Sequence, residues 1–135
     1  MDLVESLHIS AAGMKTQGSR LRIIAENMAN ADSLAKEPGG DPYRRRMMTF
    51  KNTLDRTLGY DTVKVDRIIS DPAEFELRYE PGHPAADDKG YVKLPNVNTL
   101  IELADMREAQ RSYEANLKVI EASRTMIMRT IYILR

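Results

Sequence analysis

Cysteine is absent from all 135 residues, which excludes disulfides, thiolate metal ligands and thiol nucleophiles together. Tryptophan is absent too and phenylalanine occurs only twice, so a chain that is 42% hydrophobic has material for one modest core at most. Neither charge sign prevails, with 20 Lys and Arg against 20 Asp and Glu, and nothing draws the whole molecule toward nucleic acid or an anionic membrane. Charges interrupt every hydrophobic segment well short of the roughly 20 residues that span a bilayer. The start, Met1-Asp2-Leu3-Val4-Glu5, carries acids where a secretory signal carries basic residues, and no small-residue cleavage site follows. The expectation is a soluble chain, or one exported without a cleaved signal peptide.

Catalytic machinery is equally scarce. His8 and His83 are the only histidines, and neither has a ligand-spaced companion on one helical face. His83 reads as a turn residue within Pro81-Gly82-His83-Pro84, and Asp87-Asp88 as solvated loop acids, too few for a calcium site. There is no phosphate-cradling glycine loop, nucleophile elbow or Ser/His pairing. The single basic run, Arg44-Arg45-Arg46, suits salt bridges at a surface or between subunits better than phosphate contacts in a neutral chain. No enzyme activity, cofactor, metal, nucleic acid or small-molecule substrate is expected.

What the chain does have is helical periodicity at both ends. From Leu3 to about Asn30 there is no Pro, and Val4, Leu7, Ala11, Met14, Gly18, Leu21, Ala25 and Met28 recur at alternating spacings of three and four. That is a heptad seam in which small residues allow a partner helix to approach. A second helix starts after Pro95, with Asn98 or Thr99 as its cap and Thr99 to Glu102 fitting a capping box, and continues toward Arg135 without Gly or Pro. One row on it reads Leu103, Gln110, Leu117, Arg124, Ile131 and its neighbour reads Met106, Tyr113, Ile120, Ile127, Leu134, the usual pair of coiled-coil positions. At 1.5 Å per residue this helix would run about 50 Å.

The segment between them holds all six Pro and five of the seven Gly. Glu74–Tyr79 alternates strictly and Thr62–Ile68 nearly so, as half-buried strands do, and Met47–Phe50 is a candidate third strand. The fold class expected is mainly α with a small β-containing middle, the long terminal helices paired as a coiled coil. Residues 1–30 and 98–135 then form one discontinuous helical domain around an irregular middle, 31–97.

The apolar surface of the terminal helices exceeds what the small middle can cover. Packing the helices on each other still leaves Leu3, Ile9, Ile23, Ile24, Leu100, Ile101 and Ile133 available, so self-association or co-assembly is expected. The alternatives are an ordinary monomer whose helices fold onto the middle, and a soluble helical adaptor or export chaperone that offers the same seams to another partner.

Asn27-Met28-Ala29-Asn30-Ala31-Asp32-Ser33 followed by Pro42-Tyr43-Arg44-Arg45 resembles the signature that closes the first helix of bacterial flagellar rod and hook proteins. Ser33 stands where many of those carry Thr, and an insertion, Leu34 to Asp41, precedes the Pro-Tyr, as in the short proximal-rod branch. Tyr79–Asp87, Gly90–Asn98 and Arg111–Asn116 also look like that branch, so the resemblance covers nearly the whole chain; 53–73 is its least diagnostic part. It implies a structural subunit that pairs its terminal helices and stacks helically around an export channel, carrying torque. It also implies uncleaved export through the flagellar type III apparatus and residence in the basal-body rod spanning the periplasm. Implied partners are like subunits, proximal and distal rod proteins, and the rotor membrane ring with its adaptor. The Asn27 to Asn30 turn, with Pro42 and Tyr43, is expected to be structural, its Asn side chains capping the helix end and tolerating left-handed backbone.

Overall fold

The computed structural model describes residues 2–56 and 59–134; the outermost ends of the expected terminal segments, Met1 and Arg135, lie outside them. Two helices enclose four strands in chain order: α1 Leu3–Ala29, β1 Arg46–Asp55, β2 Tyr60–Ser70, β3 Glu76–Tyr79, β4 Tyr91–Leu94 and α2 Thr99–Ile133. The class is the one expected from the sequence, two long helices around a small β-containing middle.

Asn98 starts α2. Its Oδ1 accepts the free amides of Leu100 and Ile101, and its carbonyl accepts the Glu102 amide. Thr99 and Glu102 do not form the expected capping box, because Glu102 turns inward to partners described below. At the other junction α1 unwinds without left-handed backbone, since no described non-glycine residue has positive φ. Asn30 instead donates its side-chain amide to Glu26 O, and Ser33 donates its hydroxyl to Asn30 Oδ1.

The strands pair in two sheets of two, β1 with β2 and β3 with β4. Thr49 donates its hydroxyl to Arg67 O and Thr62 to Thr53 O, so β1 and β2 run antiparallel. β3 and β4 are antiparallel in a register from Glu76 opposite Leu94 to Tyr79 opposite Tyr91. β1 and β2 extend beyond their expected cores, and β3 begins two residues late. Asp71 Oδ1 binds the Ala73 amide in a turn, and Arg44 stacks on Phe75 with 4.1 Å to the ring centroid, which holds that stretch out of the sheet. Alternation in β3 does not signal half-burial, as all four residues are exposed. β4 was not expected; its Tyr91-Val92-Lys93-Leu94 is short, but it is bracketed by Gly90 and Pro95.

The described residues fall into two compact units. Unit 1 takes α1 as far as Leu21, Thr49–Arg67 and α2 from Met106 onward; unit 2 takes Arg22–Met48 and Ile68–Asp105. In unit 1, Ala109, Ser10, Thr16, Thr62 and Ser123 are buried, and Thr16 donates its hydroxyl to Ala12 O and Val63 O. In unit 2 the buried apolar side chains are Ile23, Ile24, Ala85 and Val92. Ile23 and Ile24 are therefore not available to neighbours as expected, whereas Leu100, Ile101 and Ile133 are exposed. Both interiors are small, and much of what they hold is polar.

The β3–β4 loop closes on itself. Asp87 Oδ1 accepts the amides of Lys89 and Tyr91, which holds its carboxyl below the ordinary aspartate range, chiefly through the Tyr91 amide. Gly90 has φ +84°, and a Cβ there would lie 3.0 Å from Pro81 Cβ and from Tyr79 Cε2. Both conditions forbid a side chain. Gly90→Ala is expected to cost about 2 kcal/mol in urea unfolding, the cost of an incompatible backbone plus a displaced Tyr79.

Candidate assembly surface and a polar hub

On α2, the residues turned inward are Glu102, Ala109 and Ser123, all buried, with Asn116 half-buried in the same row at seven-residue spacing. Beside them Met106, Tyr113, Ile120 and Ile127 are half-buried. The inward face thus uses one of the two expected rows, and its companion is shifted by one residue. Leu103, Leu117 and Ile131 point to solvent instead, Leu117 at 39% and Ile131 at 56% exposure, as does Leu134 at 82%. The shift of one position exchanges a Leu/Ile row for a small and polar one.

α1 shows the same inversion. Within unit 1 its buried residues are Ser10 and Thr16, while Val4 is half exposed, Ala11 is exposed, and Leu7, Met14 and Leu21 are half-buried. The two helices meet there at Gly13 against Asn116 and at an ion pair, Arg20 Nη2 to Glu108 Oε2 at 3.4 Å, so they run antiparallel. The glycine lets the backbones approach, and Val4, Leu117 and Ile131 remain on the outside. In unit 2, Met28 is half-buried and Asn27 almost fully enclosed.

Asn27 is the centre of unit 2. Its Nδ2 donates to Arg46 O at 2.9 Å and to Glu102 Oε2 at 3.1 Å, and its Oδ1 accepts the Arg46 amide and the Tyr43 hydroxyl, each at 2.9 Å. Every donor and acceptor position of the side chain is occupied. Its pairing with both backbone groups of Arg46 imitates a neighbouring strand, which fixes where β1 begins relative to the last turn of α1. Asn27 is therefore no cap; Asn30 takes that task, and Pro42 is buried just ahead of Tyr43. Burial raises the Tyr43 pKa above its ordinary value.

Glu102 is fully buried and its other oxygen accepts Arg45 Nε at 2.6 Å. The same guanidinium reaches Asp71 at 3.4 Å and Asp105 at 3.6 Å, and the Arg45 amide donates to Asn96 Oδ1 at 2.7 Å. Burial opposes the Arg45 charge, but the hydrogen bond and charge of Glu102, with Asp71 behind them, outweigh it and hold the pKa above the usual guanidinium value. Arg46 pairs with Glu26 at 3.0 Å, and Arg44 donates to the carbonyls of Asp71 and Ala73. The basic run thus serves the chain's own packing. Sequence reading singled out Asn27, Asn30, Pro42 and Tyr43 but not the role of Glu102, Arg45, Asp71 or Asn96. A seven-residue row of Glu102, Ala109, Asn116 and Ser123 was the available signal.

Residues 88–132, covering β4, the Asn98 cap and nearly all of α2, match the family described as Flagellar basal body rod FlgEFG protein C-terminal. The flagellar basal-body rod protein FlgC of Agrobacterium fabrum is 51% identical over 127 residues, covering 94% of this chain and 91% of that one. The chain belongs to the FlgC family. The FlgC of Salmonella typhimurium is 39% identical with 97% of each chain covered, and that of Borreliella burgdorferi 36% identical over all of this chain and 99% of its own. The role that goes with FlgC is that of a structural rod subunit. In this FlgC-family chain no group of three or more His, Asp or Glu among the described residues could hold a metal ion.

Arg45→Met, which strands the enclosed Glu102 carboxylate, is expected to cost about 3 kcal/mol in chemical denaturation, with Arg45→Met plus Glu102→Met recovering most of it. Asn27→Asp would place a second carboxylate against Glu102 and remove both amide donors. Its loss should be at least as large and should shrink as the pH falls and the new carboxyl becomes protonated.

Proposed function

We infer that this chain polymerises helically in the proximal rod of the flagellar basal body, around the export channel, and transmits torque through contacts made by its outward apolar rows. The observation that carries this reading is the polarity of the helices: apart from Ile23 and Ile24, their buried residues are small or polar, while Val4, Leu103, Leu117, Ile131 and Leu134 are outside. A monomer that hid its apolar rows in its own core would be arranged the other way round. Large apolar side chains exposed in this number along two helices suit an interface.

In this reading the terminal helices pair as a coiled coil, for which the antiparallel contacts of unit 1 speak. Leu7, Ala11, Met14, Leu21 and Met28 on α1, with Met106, Tyr113, Ile120 and Ile127 on α2, form the seams at which that pair and its neighbours meet. Residues 1–30 and 98–135 act as one helical domain and 31–97 as the middle that spaces it from other subunits. The partners are further copies of the chain, the proximal and distal rod proteins, the rotor membrane ring with its adaptor, and the type III export apparatus during secretion. The rod crosses the periplasm, and the subunit does no chemistry. No helix of the described residues is long and apolar enough to cross a membrane.

Leu117→Asp and Ile131→Asp test the reading, because both side chains are outside and the fold should tolerate them. Circular dichroism and melting of the purified chain are expected to stay within about 0.5 kcal/mol of the parent. Rod assembly, judged from isolated basal bodies, and swimming are expected to be lost. Normal rods in both variants would overturn the reading and favour an adaptor that uses another surface.

A further inference from the structure

Gly13 lies where α1 and α2 meet in unit 1. A Cβ built there would stand 2.9 Å from Asn116 Nδ2 and 3.1 Å from its Cγ and Oδ1, so the Asn116 amide occupies the space a side chain would need. That amide is itself fastened, Nδ2 donating to Ser112 O at 2.9 Å. Gly18, on the same helix, has nothing within 4 Å of such a Cβ. Of the two glycines that weaken α1, only Gly13 is a notch with something in it.

The residues stacked with Gly13 at heptad spacing on α1 are Ser6, Arg20 and Asn27. Each has a Cβ. A slide of one heptad, the smallest that keeps the same faces together, would bring Ser6 or Arg20 opposite Asn116 and would also separate Arg20 from Glu108. The other buried residues here, Ser10, Thr16, Ala109 and Ser123, are too small and too alike to distinguish one register from the next. Leu117 and Ile131 face away, and the large side chains on the inner side, Met106, Tyr113, Ile120 and Ile127, are only half-buried and recur at the same seven-residue spacing, so they too fit a register one heptad away.

We propose that Gly13 and Asn116 are a notch and key that set the register of the α1–α2 pair and so direct α1 to its own chain's α2 in one alignment. A polar residue at a seam position is a known means of fixing register at some expense of stability. Here the glycine adds a steric condition that only one alignment meets.

The test uses the full-length chain and four variants: Gly13→Ala, Gly18→Ala, Asn116→Ala and the Gly13→Ala, Asn116→Ala double. Gly18→Ala is expected to raise Tm through helix propensity. Gly13→Ala is expected to lower Tm by several degrees, and the same change is expected to raise it once Asn116 is Ala. Because the chain has no cysteine, Arg20→Cys with Glu108→Cys, bridged by a short bismaleimide, reports the register directly. Bridging within one chain is expected in that parent, several-fold reduced by adding Gly13→Ala and unchanged by adding Gly18→Ala. Stabilisation by Gly13→Ala equal to that by Gly18→Ala, an unchanged bridging yield, or no bridge within the parent chain would each overturn the proposal.

Discussion

A carboxylate without access to water cannot stay charged unless something is fixed in place to meet it. Glu102 sets that condition for unit 2. It is satisfied by Arg45 on one oxygen and Asn27 on the other, and those two residues bring their own attachments: Arg45 to Asp71, Asp105 and Asn96, Asn27 to Tyr43 and Arg46. The last turn of α1, the first residue of β1, the turn at Asp71 and the first turn of α2 are thereby tied by directional bonds. Apolar contacts alone would hold these pieces close; the hub also specifies how they are aligned.

The choice of polar interiors follows from what the outer surfaces must do. If Leu103, Leu117 and Ile131 were turned to the chain's own pairing, α2 would have less apolar surface to offer a neighbour. Pairing at Gly13 and Asn116 instead makes the internal contact close, while the large side chains beside it are only half withdrawn from water and contribute correspondingly less. Specificity then has to come from shape and hydrogen bonds, which is the role of the hub in unit 2 and of Gly13 with Asn116 in unit 1.

Much of this was legible beforehand. Both helices follow from heptad spacing and missing Pro, their ends from Asn98 and the Asn27–Asn30 region, and three of the four strands from alternation and β-branched residues. The side that each helix turns inward was legible only in part: the row of Met106, Tyr113, Ile120 and Ile127 is on it, its expected companion is not. Heptad reasoning assigns the larger apolar row to the nearest partner, and here that rule selects the outer face, so Leu103 was read where Glu102 sits. Ile23 and Ile24 were expected outside for the same reason, and they are buried in unit 2. Glu102 also fitted a capping box, and a local pattern of that kind carries no information about an arginine 57 residues away.

The division of labour between the two kinds of surface extends to temperature. Apolar association loses strength on cooling, because water orders around exposed hydrocarbon at progressively less cost, whereas amide and carboxylate bonds such as those at Asn27 and Glu102 do not fade in that way. Chilling should therefore release whatever sits on Leu117, Ile131 and Leu134 while each subunit keeps its own internal alignment. Cold, more than heat, is then the gentle solvent condition for taking such a polymer apart into reusable pieces.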